Sequence, residues 1–284
     1  MPGWMTSVAL AFLSSVSWGL ADFIGGMKSR ALPLLNVLLP SQASGLALIS
    51  VFVAVRGEGA PDGTFAVFAV LSAVAGVTGL AAFYRALAIG NMGVVAPISA
   101  CAAVVPVAVG IATGDRPGAL QAAGLVLALV GVVLASREEV TGEGGRRGTA
   151  RGTGLALISA LGFGFFFLAM DRAADGDVAW AMLVNRITGV AILATAFLAL
   201  RTPVRATRRD APVLIGIGFL DIGANAMFAV AATEGLVSVV AVLGSLYPLT
   251  TVGLAALVLH ERPHRLAQVG VVIALCGVVL IAAG

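Results

Sequence analysis

Charge is the scarcest commodity in this chain. Only 11% of its 284 residues are Asp, Glu, Lys or Arg, against roughly 25% in an ordinary soluble domain. A water-soluble globule of this composition would expose large apolar patches and aggregate. Histidine is nearly absent: His260 and His264 stand four apart in a loop, and the adjacent Glu261 is poorly placed as a third ligand, so no metal site is expected. The two cysteines, Cys101 and Cys276, lie inside apolar runs without Cys-x-x-Cys spacing, which excludes a zinc site or disulfide framework. No Gly-Lys-Ser/Thr phosphate loop is present, so ATP-driven work by this chain alone is not expected, nor is any cofactor. Clusters of His, Asp or Ser suited to catalysis are missing, and no enzymatic activity is expected. The net charge is only +3 and the basic residues are scattered over short loops, which argues against nucleic-acid binding.

What is abundant is apolar: 60% of the residues, with a mean hydropathy of +1.05. A membrane-crossing helix needs about 20 mostly apolar residues. Eight stretches carry no charge: 1–21, 31–55, 63–84, 86–114, 117–136, 152–170, 235–259 and 266–284. Two more, 178–200 and 211–233, are interrupted only by Arg186 and Asp221. None shows the period-two alternation of a membrane β-strand. The sequence therefore predicts an all-α membrane protein with ten transmembrane helices. The first follows Met-Pro-Gly-Trp with no basic leader region and reads as a retained helix. The longest loop contains Thr-Gly-Glu-Gly-Gly-Arg-Arg-Gly-Thr and reads as a flexible linker at 136–151. It separates a five-helix repeat at 1–135 from another at 152–284.

The halves repeat. Shifted by 146, Arg116–Leu134 falls on Arg262–Leu280 with eleven of 19 positions identical, including Arg-Pro on Arg-Pro. Shifted by 145, Leu10, Ala11, Ser14 and Gly19 fall on Leu155, Ala156, Ser159 and Gly164. Five helices is an odd number, so the second repeat must enter the membrane in the opposite sense. Such inverted repeats are characteristic of many secondary transporters. Odd-numbered loops hold twelve Lys and Arg and even-numbered loops three. The positive-inside rule then places the odd loops in the cytoplasm and both termini outside.

On these residues the chain resembles the EamA-type, ten-helix branch of the drug/metabolite transporter superfamily. The resemblance is carried by Trp18-Gly19, by Phe83–Gly90 (FYRALAIG), by the turns GDRP at Gly114–Pro117 and HERP at His260–Pro263, and by Gly131-Val-Val-Leu134 with Gly277-Val-Val-Leu280. The family's proline in the fourth helix of a half matches Pro248; the first half has Cys101-Ala102 near that place, with prolines at Pro97 and Pro106. The resemblance implies a permease moving small metabolites by alternating access, in the plasma (inner) membrane of a prokaryote.

Polar residues inside the spans are the candidate site. A charge at the middle of a membrane helix costs about 2.5–3.5 kcal/mol on insertion scales, so it persists only if paired, hydrated or used. At 1.5 Å per residue, Arg186 lies roughly 10 Å and Asp221 roughly 16 Å below the outer surface, within reach of a pair facing a polar cavity. Asn185 adjoins Arg186, and Asn225 shares a helix face with Asp221. Such a pair serves either cargo or stability alone. Asp22, near the inner end of the first span, binds a proton or a cationic group, or is an interfacial carboxylate beside Lys28 and Arg30. Arg85 either snorkels to headgroups or binds an anionic group. Trp18 walls the site or anchors the interface. Pro97, Pro106 and Pro248 are expected to kink the fourth and ninth spans, with Ser99, Ser245 and Tyr247 beside the kinks. Gly124, Gly131, Gly270 and Gly277 recur every seven residues, a helix-packing spacing that reads as scaffold or dimer contact.

The sequence thus predicts a secondary transporter of a small metabolite, with export of amino acids or related compounds preferred over a sugar, a nucleoside or a cationic drug. A non-transporting membrane scaffold is the rival of a different class. The expected partners are a small-molecule substrate and the bilayer, with protons and a second copy of the chain as candidates.

Overall fold

A computed structural model of the chain describes residues 2–61, 63–113, 118–135, 143–234, 243–244, 246–261 and 265–283. Among these the regular structure is helical: α1 (Pro2–Ala31), α2 (Leu34–Arg56), α3 (Phe65–Ile89), α4 (Met92–Ala100), a 3-10 turn (Cys101–Ala103), α5 (Val104–Thr113), α6 (Ala119–Ala135), α7 (Glu143–Ala174), α8 (Val178–Ala199), α9 (Ala211–Glu234), α10 (Tyr247–Val258) and α11 (Arg265–Ala283). In lipid a helix is the segment that satisfies its own backbone hydrogen bonds. Six stretches are long and apolar enough to cross a membrane: Met5–Ala31, Leu34–Arg56, Phe65–Ile89, Arg151–Ala174, Val178–Ala199 and Ala211–Ala231. Four shorter apolar helices, Met92–Pro106, Ala119–Leu134, Tyr247–Val258 and Gln268–Ile281, occupy the places of the fourth, fifth, ninth and tenth spans.

The structure departs locally from the sequence reading at four places. The first helix runs on to Ala31, so Asp22 sits inside it with two further turns beyond; a lone charge does not end a helix whose partners shelter it. The fourth span is broken into α4, a 3-10 turn and α5. Pro97 alone of the three singled-out prolines lies in a helix interior; Pro106 sits in the first turn of α5 and Pro248 is the second residue of α10, where a missing N–H costs little. An unforeseen Pro40 lies inside α2. The predicted linker 136–151 is helical from Glu143 onward, continuous with α7, and 136–142 lie outside the described residues.

Small residues line many helix contacts, beside a core of larger apolar side chains such as Leu38, Phe83, Leu87 and Met92. Val51, Phe52, Val55, Leu71, Val74, Leu129, Phe165 and Val272 face outward, while Ala11, Ser14, Ala21, Ala69, Ser72, Ala128, Ser159 and Ala274 are buried. Lipid is as apolar as leucine, so helices associate through close packing of small residues and hydrogen bonds between helices. Along α1, Ser7, Ser14 and Ser17 donate to the carbonyls of Ala231, Ala224 and Leu220 on α9 at 2.8, 2.8 and 2.9 Å.

The most extensive contacts join the two halves: α3 with α7, α6 with α11, α1 with α9, and α2 with both α8 and α9. Exchanging the halves turns α1 on α9 into α7 on α3, and α2 on α9 into α8 on α3, and both partners of each exchange are present. The correspondence reaches individual atoms. A methyl at Gly19 would meet Thr250 Cβ at 2.4 Å and Tyr247 O at 2.6 Å; one at Gly164 would meet Val105 Cβ at 2.4 Å and Ala102 O at 2.8 Å. Gly164, Thr250 and Tyr247 lie 145 positions beyond Gly19, Val105 and Ala102 respectively. Glycines of the seven-residue series meet inside the chain: a methyl at Gly131 would fall 2.2 Å from Ala274 N, and one at Gly277 2.3 Å from Ala128 N.

Ion pairs between halves fasten the ends of helices. Lys28 Nζ meets Asp210 Oδ1 at 2.7 Å, and Arg30 Nη2 meets Glu261 Oε1 at 2.6 Å. Glu261 also accepts from Met92 N at the start of α4, at 2.8 Å. At the other end of α2, Arg56 pairs with Asp177 at 2.6 Å, and Asp177 accepts from Trp180 N at the start of α8. The Lys28 ammonium, with hydrogen bonds from Thr207, holds the Asp210 carboxyl well below the usual carboxylate range. A lowered folded-state pKa contributes stability that is complete above the unfolded value of about 3.9 and fades as pH falls toward the folded value. Asp210→Asn should therefore lower the thermal midpoint in detergent by a constant amount at pH 6–8, on the order of a degree or two for a solvated pair. The gap should close as pH drops below about 4; a gap that widens in acid would contradict the sign.

Candidate functional site

Two backbones in near contact set up the charged centre. A methyl at Gly218 of α9 would fall 2.0 Å from Ser41 O and 2.1 Å from Ser44 Oγ of α2, so the helices meet there because Gly218 carries no side chain. Ser44 Oγ donates to Ile215 O across the same crossing at 3.1 Å. One turn beyond it, Asp221 projects from α9 beside Gln42 of α2. Arg186 enters from α8 and divides its guanidinium between them: Nη2 pairs with Asp221 Oδ2, and Nη1 donates to Gln42 Oε1. Gly45 of α2 adjoins the centre: a methyl there would crowd Ile222 Cγ1 at 3.0 Å and only touch Arg186 Cζ, at 3.9 Å. The Arg186 side chain is 11% exposed and that of Asp221 28%. The guanidinium is thus the more enclosed member of the pair and the carboxylate the more accessible one.

Asp22 of α1 faces the same interior and lies within electrostatic reach of Asp221 and Tyr247. Among the described residues it has no hydrogen bond and no ion pair. Trp18, one turn earlier on α1, packs against Phe228 of α9 at 5.7 Å between ring centroids and against Tyr247 of α10 at 6.4 Å. Tyr84 of α3 reaches α1 from the other side. Its hydroxyl donates to Ala21 O at 3.4 Å, and its ring occupies the space that a side chain at Gly25 would need. Trp18, Asp22, Asp221, Phe228 and Tyr247 are all only partly buried.

Trp18, Asp22, Arg186, Asp221 and Tyr247 are thus brought together. Other predicted residues go elsewhere. Asn185 donates to Ser72 Oγ on α3 at 2.8 Å, tying two helices. Asn225 donates to the Asp221 backbone carbonyl at 2.7 Å rather than to its carboxylate. Ser99 is fully buried against α7, 3.5 Å from Ala156 O. Arg85 is exposed on the outer face of α3. Ser245 lies outside the described residues. Sequence reading missed Gln42, Tyr84 and Phe228. A signal existed for two of them: Gln42 is an amide within a charge-free run, and Tyr84 is one of only two tyrosines in the chain. No group of three His, Cys, Asp or Glu converges to hold a metal ion among the described residues.

The charged centre joins α2 of the first half to α8 and α9 of the second, so any relative movement of the halves is felt there. Comparison with known proteins agrees with this architecture. A crystal structure of a protein 16% identical superposes with a TM-score of 0.65, over 98% of this chain and 96% of its own, which establishes a shared fold. No curated protein matches the chain. The EamA-like transporter family matches twice, over residues 5–137 and 150–283, leaving only a short segment between the two repeats. The chain belongs to the EamA-like transporter family, membrane transporters of small molecules.

Proposed function

We propose that the chain is a secondary transporter that moves a small metabolite by alternating access, with ten membrane segments arranged as two inverted five-helix repeats. The preferred cargo is an amino acid or a related compound, and the preferred direction is export. The observation that carries this reading is the Arg186–Asp221–Gln42 centre, assembled across the halves with its carboxylate partly accessible. A buried ion pair is weak evidence for stability as such, because desolvation offsets much of the attraction. Rocking one half against the other alternately exposes such a centre to the two sides. A scaffold needs no polar opening, and apolar packing would close its centre more firmly.

The test is flux in proteoliposomes of the purified chain, with amino acids, sugars and organic cations offered with and without a proton gradient. Saturable flux of one class is expected. Asp221→Asn should reduce it at least tenfold, the scale of losing one charged contact of about 1.4 kcal/mol or more. Flux dependent on the gradient would identify protons as the coupling ion. Absence of flux across all classes from correctly inserted protein would favour the scaffold.

A further inference from the structure

Two carboxylates face the interior, and their surroundings differ. Asp221 is bound by Arg186, whose remaining guanidinium contact goes to Gln42. Asp22 has no partner among the described residues. The bases nearest to it in sequence are engaged at the end of the bundle, Lys28 with Asp210 and Arg30 with Glu261. Arg30 additionally donates to the carbonyls of Leu87 and Gly90 at 3.2 and 3.3 Å. An interfacial carboxylate neutralised by Lys28 and Arg30 is therefore not what the fold contains. Of the two acids, Asp221 has the Arg186 guanidinium in contact, whereas no cation touches Asp22 among the described residues. Tyr84 and Tyr247 bring hydroxyls and ring surface but no positive charge.

A carboxylate beside aromatic rings is the arrangement that recognises an organic ammonium. The carboxylate supplies the countercharge, and the rings supply apolar contact and quadrupole attraction in a site with little water. We propose that Asp22, rather than Asp221, receives the cationic group of the cargo, an ammonium, with Trp18, Tyr247 and Phe228 as its aromatic wall. Arg186 and Asp221 then form a fixed, internally neutral side of the cavity. The inference rests on the transporter reading for its biological sense, and it narrows the cargo: amino acids and organic amines carry such a group, whereas sugars and ordinary nucleosides do not.

Equilibrium binding tests it without requiring transport. The full chain in lipid nanodiscs is titrated calorimetrically with phenethylamine, phenethyl alcohol and phenylacetate, three probes matched in their rings and different in charge. The amine should bind about tenfold or more tightly than the alcohol or the acid. Asp22→Asn should remove that preference, Asp22→Glu should retain it, and Trp18→Leu should weaken the amine while the alcohol changes less. The preference of the wild-type chain among the probes and the Glu and Leu variants keep the test decisive should Asp22→Asn fail to fold. Equal binding of amine and alcohol, no amine binding, or an unchanged preference in Asp22→Asn would overturn the proposal. Flux of a neutral or acidic cargo with no preference for the amine would leave the transporter standing and remove this inference. Asp22-dependent amine binding without flux of any cargo would do the reverse.

Discussion

Arg186→Ala is expected to destabilise the folded chain by about 3–5 kcal/mol and to abolish flux, the more severe result of any single change at the charged centre. The substitution leaves Asp221 in the bundle interior with no cationic partner in contact and strips Gln42 of its donor. Removing one member of an enclosed pair costs far more than the pair contributes, because the remaining charge must be desolvated alone. Stability and function separate in the double variant Arg186→Met with Asp221→Leu. Apolar residues of similar volume should return unfolding stability to within about 1 kcal/mol of wild type, while flux stays lost. Thermal or steric-trap unfolding in micelles provides the first measurement and proteoliposomes the second. If the double variant transports normally, the pair is structural only, and the proposed function loses its main support.

Gly131→Leu is the second large effect. A methyl at this position would already lie 2.2 Å from Ala274 N and 2.5 Å from Ala274 Cα. The obstacle is backbone, which cannot rotate aside as a side chain can. Overpacking of a core costs typically 1–3 kcal/mol and occasionally more; here α6 and α11 must separate along their whole seam, and a loss of about 3 kcal/mol or more is expected, with Gly131→Ala intermediate. The internal control is Gly216→Ala on α9. Nothing lies within 4 Å of its added methyl, and replacing a helical glycine by alanine should stabilise by about 0.5–1 kcal/mol. Equal effects of Gly131→Ala and Gly216→Ala would show that the seam yields more easily than the geometry indicates.

Much of the helical architecture is legible in the sequence, because in a membrane the length of an apolar run and the need to satisfy the backbone leave few alternatives. The repeat was visible too, down to the pairing of Gly19 with Gly164, since small residues are retained where backbones touch. Ends of helices were less visible. Asp22 looked like the end of the first span because charge usually marks an interface, yet the helix continues to Ala31. The meeting of Arg186 with Asp221 followed from their depths. Gln42 did not, because a neutral amide carries no cost that forces a partner to be sought. Asn185 and Ser99 show the converse. A polar side chain in a span that faces a cavity and one that ties two helices look alike in sequence, and only packing tells them apart.

The interlacing of the halves bears on how the protein is made. The most extensive contacts of α1, α2 and α3 are with α7, α8 and α9, and those of α6 are with α11. A ribosome that has delivered the first repeat has therefore delivered segments whose best partners do not yet exist. They must wait in the bilayer as separate insertions, tolerated there because they are predominantly apolar, and assembly completes only when the second repeat arrives. The repeat that looks in sequence like a self-contained module is in this respect half of a single folding unit.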